Sequence, residues 1–158
     1  MNSAERRPVR HQTPAVPASG RRNLVRQSIH ILVHYPQIAD KLGDMSGIEV
    51  SARPGVPLLV ELLNSLQESP CNSTGALLER WRDRPDVEHL SKLARLECYI
   101  PDAAGAVREL RDALEHLRDE GALVRREQLL AKHSREGLDE SEKLELQTLL
   151  QGKRPVAP

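Results

Sequence analysis

The sequence predicts an all-α fold: a compact helical bundle followed by a long helix leading into a C-terminal helical hairpin. Three observations carry this. Phe is absent and Tyr35, Trp81 and Tyr99 are the only aromatic residues, so the core must be built from Leu, Val, Ile and Ala, which favours helices over β-sandwiches. Apolar residues recur at helical spacing from Leu24 onward. No proline occurs between Pro101 and Pro155, leaving that stretch free to run as unbroken helix. A length of 158 residues, 39% of them hydrophobic and 29% charged, suits one helical domain with an appendage or two small units.

Residues 1–22, MNSAERRPVRHQTPAVPASGRR, contain Pro8, Pro14, Pro17 and Gly20, and they set five arginines against Glu5. With almost no large apolar side chains they cannot bury enough surface to offset their ordering entropy, so they read as a flexible linker. A linker in that position suggests the last domain of a longer protein. Regular structure begins with RNLVRQSIHILVHYP. Here Leu24, Val25, Ile29, Ile31, Leu32 and Val33 give a helix apolar on most of its surface, ended by Pro36. Such a helix belongs at the centre of a bundle.

A turn or short helix, QIADKLG, closes at Gly43, and residues 44–56 read as loop from Gly47, Pro54 and Gly55. VPLLVELLNSLQESP spaces Leu58, Leu59, Leu62, Leu63 and Leu66 as a helix, with Pro57 acceptable in its first turn. STGALLERWRDRP is a third helix presenting Leu77, Leu78 and Trp81. DVEHLSKLARLE starts at Asp86, a good N-cap, and puts Leu90, Leu93 and Ala94 on one face. Residues 23–97 are expected to form one compact bundle.

The pattern changes at Asp102. Apolar or small residues recur at Ala103, Val107, Leu110, Leu114, Leu117, Gly121 and Val124, the 4-and-3 spacing of a helix packed along another helix. This predicts roughly 32 helical residues, to near Arg135, or about 48 Å. Gly121 is a candidate bend or hinge, as is the segment near Arg135. Gly137 suits a left-handed C′ position. Asp139 with Glu142 then forms a capping-box start to a helix carrying Leu144, Leu146, Leu149 and Leu150. Leu123, Val124, Leu129 and Leu130 are available to face that last helix. Residues 98–151 are thus a long helix and hairpin, and 152–158 a disordered tail.

Charge and chemistry narrow the function. Net charge is zero, but residues 97–151 hold 13 acidic and 8 basic side chains, a balance that suits protein partners better than nucleic acid. The scarcity of aromatic residues also argues against platforms for stacking bases. Cys71 and Cys98 form no CxxC pattern and read as two reduced core cysteines. Residues 1–22 lack the apolar stretch of a secretory signal, and no apolar run approaches the roughly 20 residues needed to span a bilayer. The chain therefore reads as cytoplasmic, with no membrane association.

His30 and His34 have the i, i+4 spacing of helical metal ligands, but no third ligand is evident, so core or half-exposed histidines are the better reading. No phosphate loop, dinucleotide fingerprint or nucleophile elbow occurs. The alternating charges of RELRDALEHLRDE read as a solvated face laced by weak ion pairs. The expectation is no catalytic residue, no metal site, no cofactor, and no enzymatic activity in this chain alone.

A two-helix hairpin touching along one seam leaves leucines exposed, and exposed leucines rimmed by polar residues mark a protein-binding surface unless the hairpin folds back on the bundle. RNLVRQSIHILVHYPQIA, GVPLLVELLNSL, STGALLERWR, EHLSKLARLE and the closing RREQLLAKHSREGLDESEKLELQTLLQ resemble the C-terminal helicase-binding domain of bacterial DnaG-type primases. The resemblance covers about residues 21–151, and its most specific part is the ending.

It implies a non-catalytic domain whose hairpin docks on the N-terminal domains of the hexameric replicative helicase. Docking of this kind recruits primase to the fork and modulates helicase and priming activity. By resemblance the docking residues are Leu144, Thr148, Leu149, Gln151 and Lys153. It also implies a pocket for the acidic C-terminal peptide of single-stranded DNA-binding protein, formed by Arg21, Arg26 and Lys92 with Val25 and Ile29, against which stands a reading as scattered surface cations. One departure is the QGKRPVAP ending, where Gly152 and Pro155 should end the last helix early. Two other readings stay open: a stand-alone adaptor resembling the helicase's own N-terminal domain, and a DNA-binding accessory domain using the basic arm. Sequence-specific nucleic-acid binding is not expected.

Overall fold

Helix α1, Leu24–His34, begins where the Asn23 side chain accepts the N–H of Arg26 at 3.1 Å. Val25, Ile29, Ile31, Leu32 and Val33 are all buried, so α1 is apolar nearly all round and occupies the centre of the bundle. The computed structural model describes residues 23–152; the expected linker, 1–22, and residues 153–158 of the expected tail lie outside the described residues. Pro36 ends α1 and opens a 3-10 helix, Pro36–Lys41, whose Ile38 and Ala39 return to the core.

Residues 44–56 are less loop-like than expected. A short 3-10 helix, Ile48–Val50, buries Ile48 completely, and this segment lies against the long helix. Helix α2, Val56–Glu68, buries Val56, Leu59, Leu62, Leu63 and Leu66 at helical spacing. Helix α3, Thr74–Arg80, is capped by Ser73 and buries Leu77, with Trp81 just beyond its end also buried. Helix α4, Val87–Ala94, buries Leu90 and Leu93.

Asp86 precedes α4 but does not cap it through its side chain. The preceding turns already curl helically, and the Val87 N–H donates to the Arg84 carbonyl at 3.2 Å. The first donor of α4 is thereby satisfied by backbone, and the carboxylate is left out.

Helix α5 is one continuous helix of 33 residues, Ala103–Arg135, capped by Asp102, whose carboxylate accepts the Gly105 N–H at 2.7 Å. Its first half belongs to the bundle. Ala106, Leu110, Leu114 and Leu117 are buried in the same cluster as the apolar residues of α1, α2, α3 and α4. The expected boundary after residue 97 therefore falls inside the packing, because the seam of α5 finds its cover on α1 and on the 48–50 segment. The half-buried Tyr35 hydroxyl donates to the Ile100 carbonyl at 2.7 Å and ties the segment before α5 to the bundle, and the Thr74 hydroxyl donates to the Val33 carbonyl at 2.8 Å and ties α3 to α1. Gly137 follows α5 at φ +83°, in the left-handed conformation that only glycine adopts without cost. Helix α6, Glu140–Leu150, is the last helix among the described residues.

Candidate functional site

The bundle's hold on α5 ends at Gly121, where Arg53 grips Glu120 through a fork of two hydrogen bonds, 2.7 and 2.6 Å. From there to Arg135 the helix has α6 as its cover. Beyond Gly121, only Leu129 is buried in that stretch. At 100° per residue, Arg125, Leu129 and Lys132 share one face of α5, and Leu123 and Leu130 lie roughly 100–180° around from them. Leu123 and Leu130 accordingly stay 51% and 43% exposed. The sequence places both opposite α6; the structure turns them away, because the seam rotates when α5 changes partner from bundle to α6.

Helix α6 starts with the expected capping box. The Asp139 carboxylate accepts the Glu142 N–H at 2.7 Å, and the Glu142 carboxylate accepts the Asp139 N–H at 3.1 Å. Glu142 also receives the Lys132 ammonium at 2.6 Å, and Glu145 receives a bidentate Arg125 at 2.8 and 2.9 Å. The Lys132 bond, followed by the Asp139 N–H, holds the Glu142 carboxyl below its ordinary range, and Glu142 raises Lys132 in return. Glu145 likewise raises Arg125. These pairs fix how the two helices meet where little apolar surface does so. No residue of α6 is buried.

The candidate docking residues divide between the two sides of α6. Leu144, Thr148 and Gln151, at i, i+4 and i+7, lie on the outer face, away from Glu142 and Glu145. Leu144 is 66% exposed, Thr148 is half-buried with its hydroxyl donating to the Leu144 carbonyl at 2.8 Å, and Gln151 caps the helix end in solvent. Leu149 is half-buried and falls, with Leu146, on the side that faces α5. Leu150, 59% exposed, is a further apolar residue at the surface that was not singled out as a contact. Lys153 lies outside the described residues.

The second set is more scattered. Val25 and Ile29 were expected to line a pocket, but both are buried in the bundle core and offer a ligand no surface. Their side of α1 is the side that α1 needs for folding. Arg26 on α1 and Lys92 on α4 are exposed on helices that pack together, and Arg21 lies outside the described residues. His30 and His34 are half-buried, their rings meeting edge to face at 4.6 Å. Burial lowers the pKa of His30, against a backbone hydrogen bond near Leu96 that raises it. His34 Nε2 sits 3.3 Å from the Leu93 carbonyl. Among the described residues no group of three metal-ligating side chains converges. Cys71 is buried and Cys98 half-buried, both free; the second is therefore not a core residue.

Comparison with known proteins adds the family context. The profile of the family described as DNA primase DnaG DnaB-binding matches residues 25–149. The DNA primase of Escherichia coli (strain K12) is 33% identical over 131 residues, which are 83% of this chain and 22% of that protein. That of Legionella pneumophila is 28% identical over 137 residues, 87% of this chain and 24% of that protein. The solved structure of the DnaG primase C-terminal domain from Vibrio cholerae superposes with a TM-score of 0.70 at 30% identity, covering 83% of this chain and 99% of that one. The chain thus spans between a fifth and a quarter of the length of the curated relatives it matches.

Proposed function

The chain belongs to the family of DnaB-binding domains of the DNA primase DnaG, and on that premise we propose that its α5–α6 hairpin is the surface that docks on the replicative helicase. The family membership makes this a non-catalytic, helicase-binding domain. The observation that supports the hairpin as its docking element is α6 itself, a helix of 11 residues with none buried and with Leu144 and Leu150 left in solvent. Apolar side chains held outward on a capped, ion-paired scaffold are what a protein partner covers. Leu144, Thr148 and Gln151 form the central contact, Lys153 extends it, and Leu149 supports it from the inner side.

The receiving surface is the ring of N-terminal domains of the helicase hexamer. Docking there brings the parent primase to the replication fork, in the bacterial cytoplasm, and couples priming to unwinding. Primer synthesis is assigned to parts of the parent protein other than this chain. Among the described residues no helix is long and apolar enough to cross a membrane.

Calorimetric titration of the helicase with the intact chain should give micromolar or tighter binding. Leu144→Asp should weaken it at least tenfold, equivalent to about 1.4 kcal/mol. A version ending at Arg135 should not bind. An intact, folded chain that gave no binding heat or complex would overturn the proposal.

A second partner rests on the exposed cations Arg26 and Lys92, carried by the packed pair α1 and α4. They suit the acidic C-terminal peptide of single-stranded DNA-binding protein, with Arg21 adding a third positive charge. Arg26→Glu should abolish binding of that peptide in a fluorescence anisotropy assay, and unchanged binding would remove this partner.

A further inference from the structure

The bundle carries a second surface, on α2, apart from the α5–α6 hairpin proposed above as the docking element. Between α2 and residues 44–49 lie two hollows of about 320 and 390 Å³ that share Glu49, Val60 and Asn64 in their walls. Pro57 and Val60 supply the accessible apolar surface along α2, over the buried Val56 and Leu63. Every charged residue lining either hollow is acidic: Asp44, Glu49 and Glu61. Asp44 accepts the Ser46 N–H and hydroxyl at 2.9 and 3.0 Å, and Glu49 accepts the Gly47 N–H at 3.0 Å, so both carboxylates are oriented by the turn between them. Glu61 is ion-paired with Arg84 and contributes less free charge.

The chain itself contains the complementary segment. Residues 1–22 carry Arg6, Arg7 and Arg10 interspersed with Pro8, Val9, Pro14, Val16 and Pro17. They join the bundle beside the groove: a Cβ placed on Gly55 would lie 3.1 Å from Val25, and Val56 and Pro57 form the lip of the second hollow. Reach is ample. Twenty-two residues extend to about 80 Å at most, whereas the groove along α2, from Pro57 to Gln67, is about 15 Å long. A tether that short gives an effective concentration near the millimolar range, so even weak contacts are occupied. Proline-rich chain also loses less conformational entropy on ordering than a flexible segment.

We propose that residues 1–22 dock in this groove of the same molecule, with Pro and Val side chains on Pro57 and Val60 and the arginines against Asp44 and Glu49. The contact is intramolecular and salt-sensitive, since its charged groups meet at the surface.

The test is heteronuclear NMR on the full chain, comparing it with the variant Arg6→Glu, Arg7→Glu, Arg10→Glu, whose changes lie outside the bundle. The amides of Glu49, Val60 and Asn64 should shift in the variant, and high salt should move the wild-type resonances toward the same positions. Methyl contacts between Val9 or Val16 and Val60 should be present in the wild type and lost in the variant. Asn64→Arg, an exposed change inside the groove, should release the arm in the same way and move the Val16 amide. Groove amides identical in the wild type and the triple variant would overturn the proposal. So would groove shifts that depend on protein concentration, which would assign the groove to a second copy of the chain.

Discussion

Gly121 lets the backbone of α5 pass close to the 47–51 segment, where any side chain would press on its neighbours. A Cβ there would stand 3.2 Å from the Ser51 nitrogen and 3.3 Å from the Gly47 oxygen, both backbone atoms. The sequence marks the glycine as an oddity in a helix but cannot say that backbone from a distant segment crosses it; the interior contact, not a bend, is its role. Gly121→Val should therefore lower stability by about 1–3 kcal/mol in urea denaturation, since overpacking outweighs the small gain in helix propensity. Glu142 makes the other residue-level prediction. Its folded pKa lies below the ordinary 4.5, so its contribution is complete above that value and is lost as pH falls through the lowered one. Lys132, raised above 10.5, holds its share until strongly alkaline pH. Helicity of α6 followed by NMR should be flat across neutral pH and fall only in acid, below the ordinary glutamate range. In Glu142→Gln that acid transition should shrink.

At the level of elements, the local signals were readable and the lateral ones were not. The uninterrupted run from Asp102 to Arg135, its glycine stop and the Asp139–Glu142 box are each decided within a few residues, and each forms. The orientation of Leu123 and Leu130 depends instead on which partner α5 has at that height, and a single periodicity cannot contain two partners. Asp86 illustrates the same limit, since its capping role was taken by the backbone of the turn before it. Among the candidate site residues, the shared face of Leu144, Thr148 and Gln151 is readable from spacing alone, whereas the burial of Val25 and Ile29 follows from α1 being surrounded. Asp139→Ala removes one half of the box and should cost about 1 kcal/mol of hairpin stability. Circular dichroism should register a loss confined to the helicity of about one short helix, with the bundle's thermal transition unchanged.

Across the whole molecule, burial is concentrated at one end. The bundle core gathers apolar residues from α1 to the middle of α5, while α6 contributes none. A helix of 11 residues is below the length that holds itself in water, so α6 depends on its cap, its ion pairs and Leu129. Hydrogen exchange should separate the two parts: amides of 140–150 should exchange orders of magnitude faster than those of α1 and α2. Equal protection throughout would mean that hairpin and bundle open as one unit. The sequence-based division after residue 97 missed this arrangement because it followed a change in periodicity, and the core does not end where the periodicity changes.

Helix α5 runs unbroken from the inside of the bundle to the tip of the hairpin. The stretch beyond Gly121 is about 21 Å long at 1.5 Å per residue, so a tilt of about 10° at the glycine would carry the tip through about 4 Å. Force applied at α6 by a moving partner would reach the bundle as torque on the Gly121–Ser51 contact, with Arg53 and Glu120 acting as the brace that resists it.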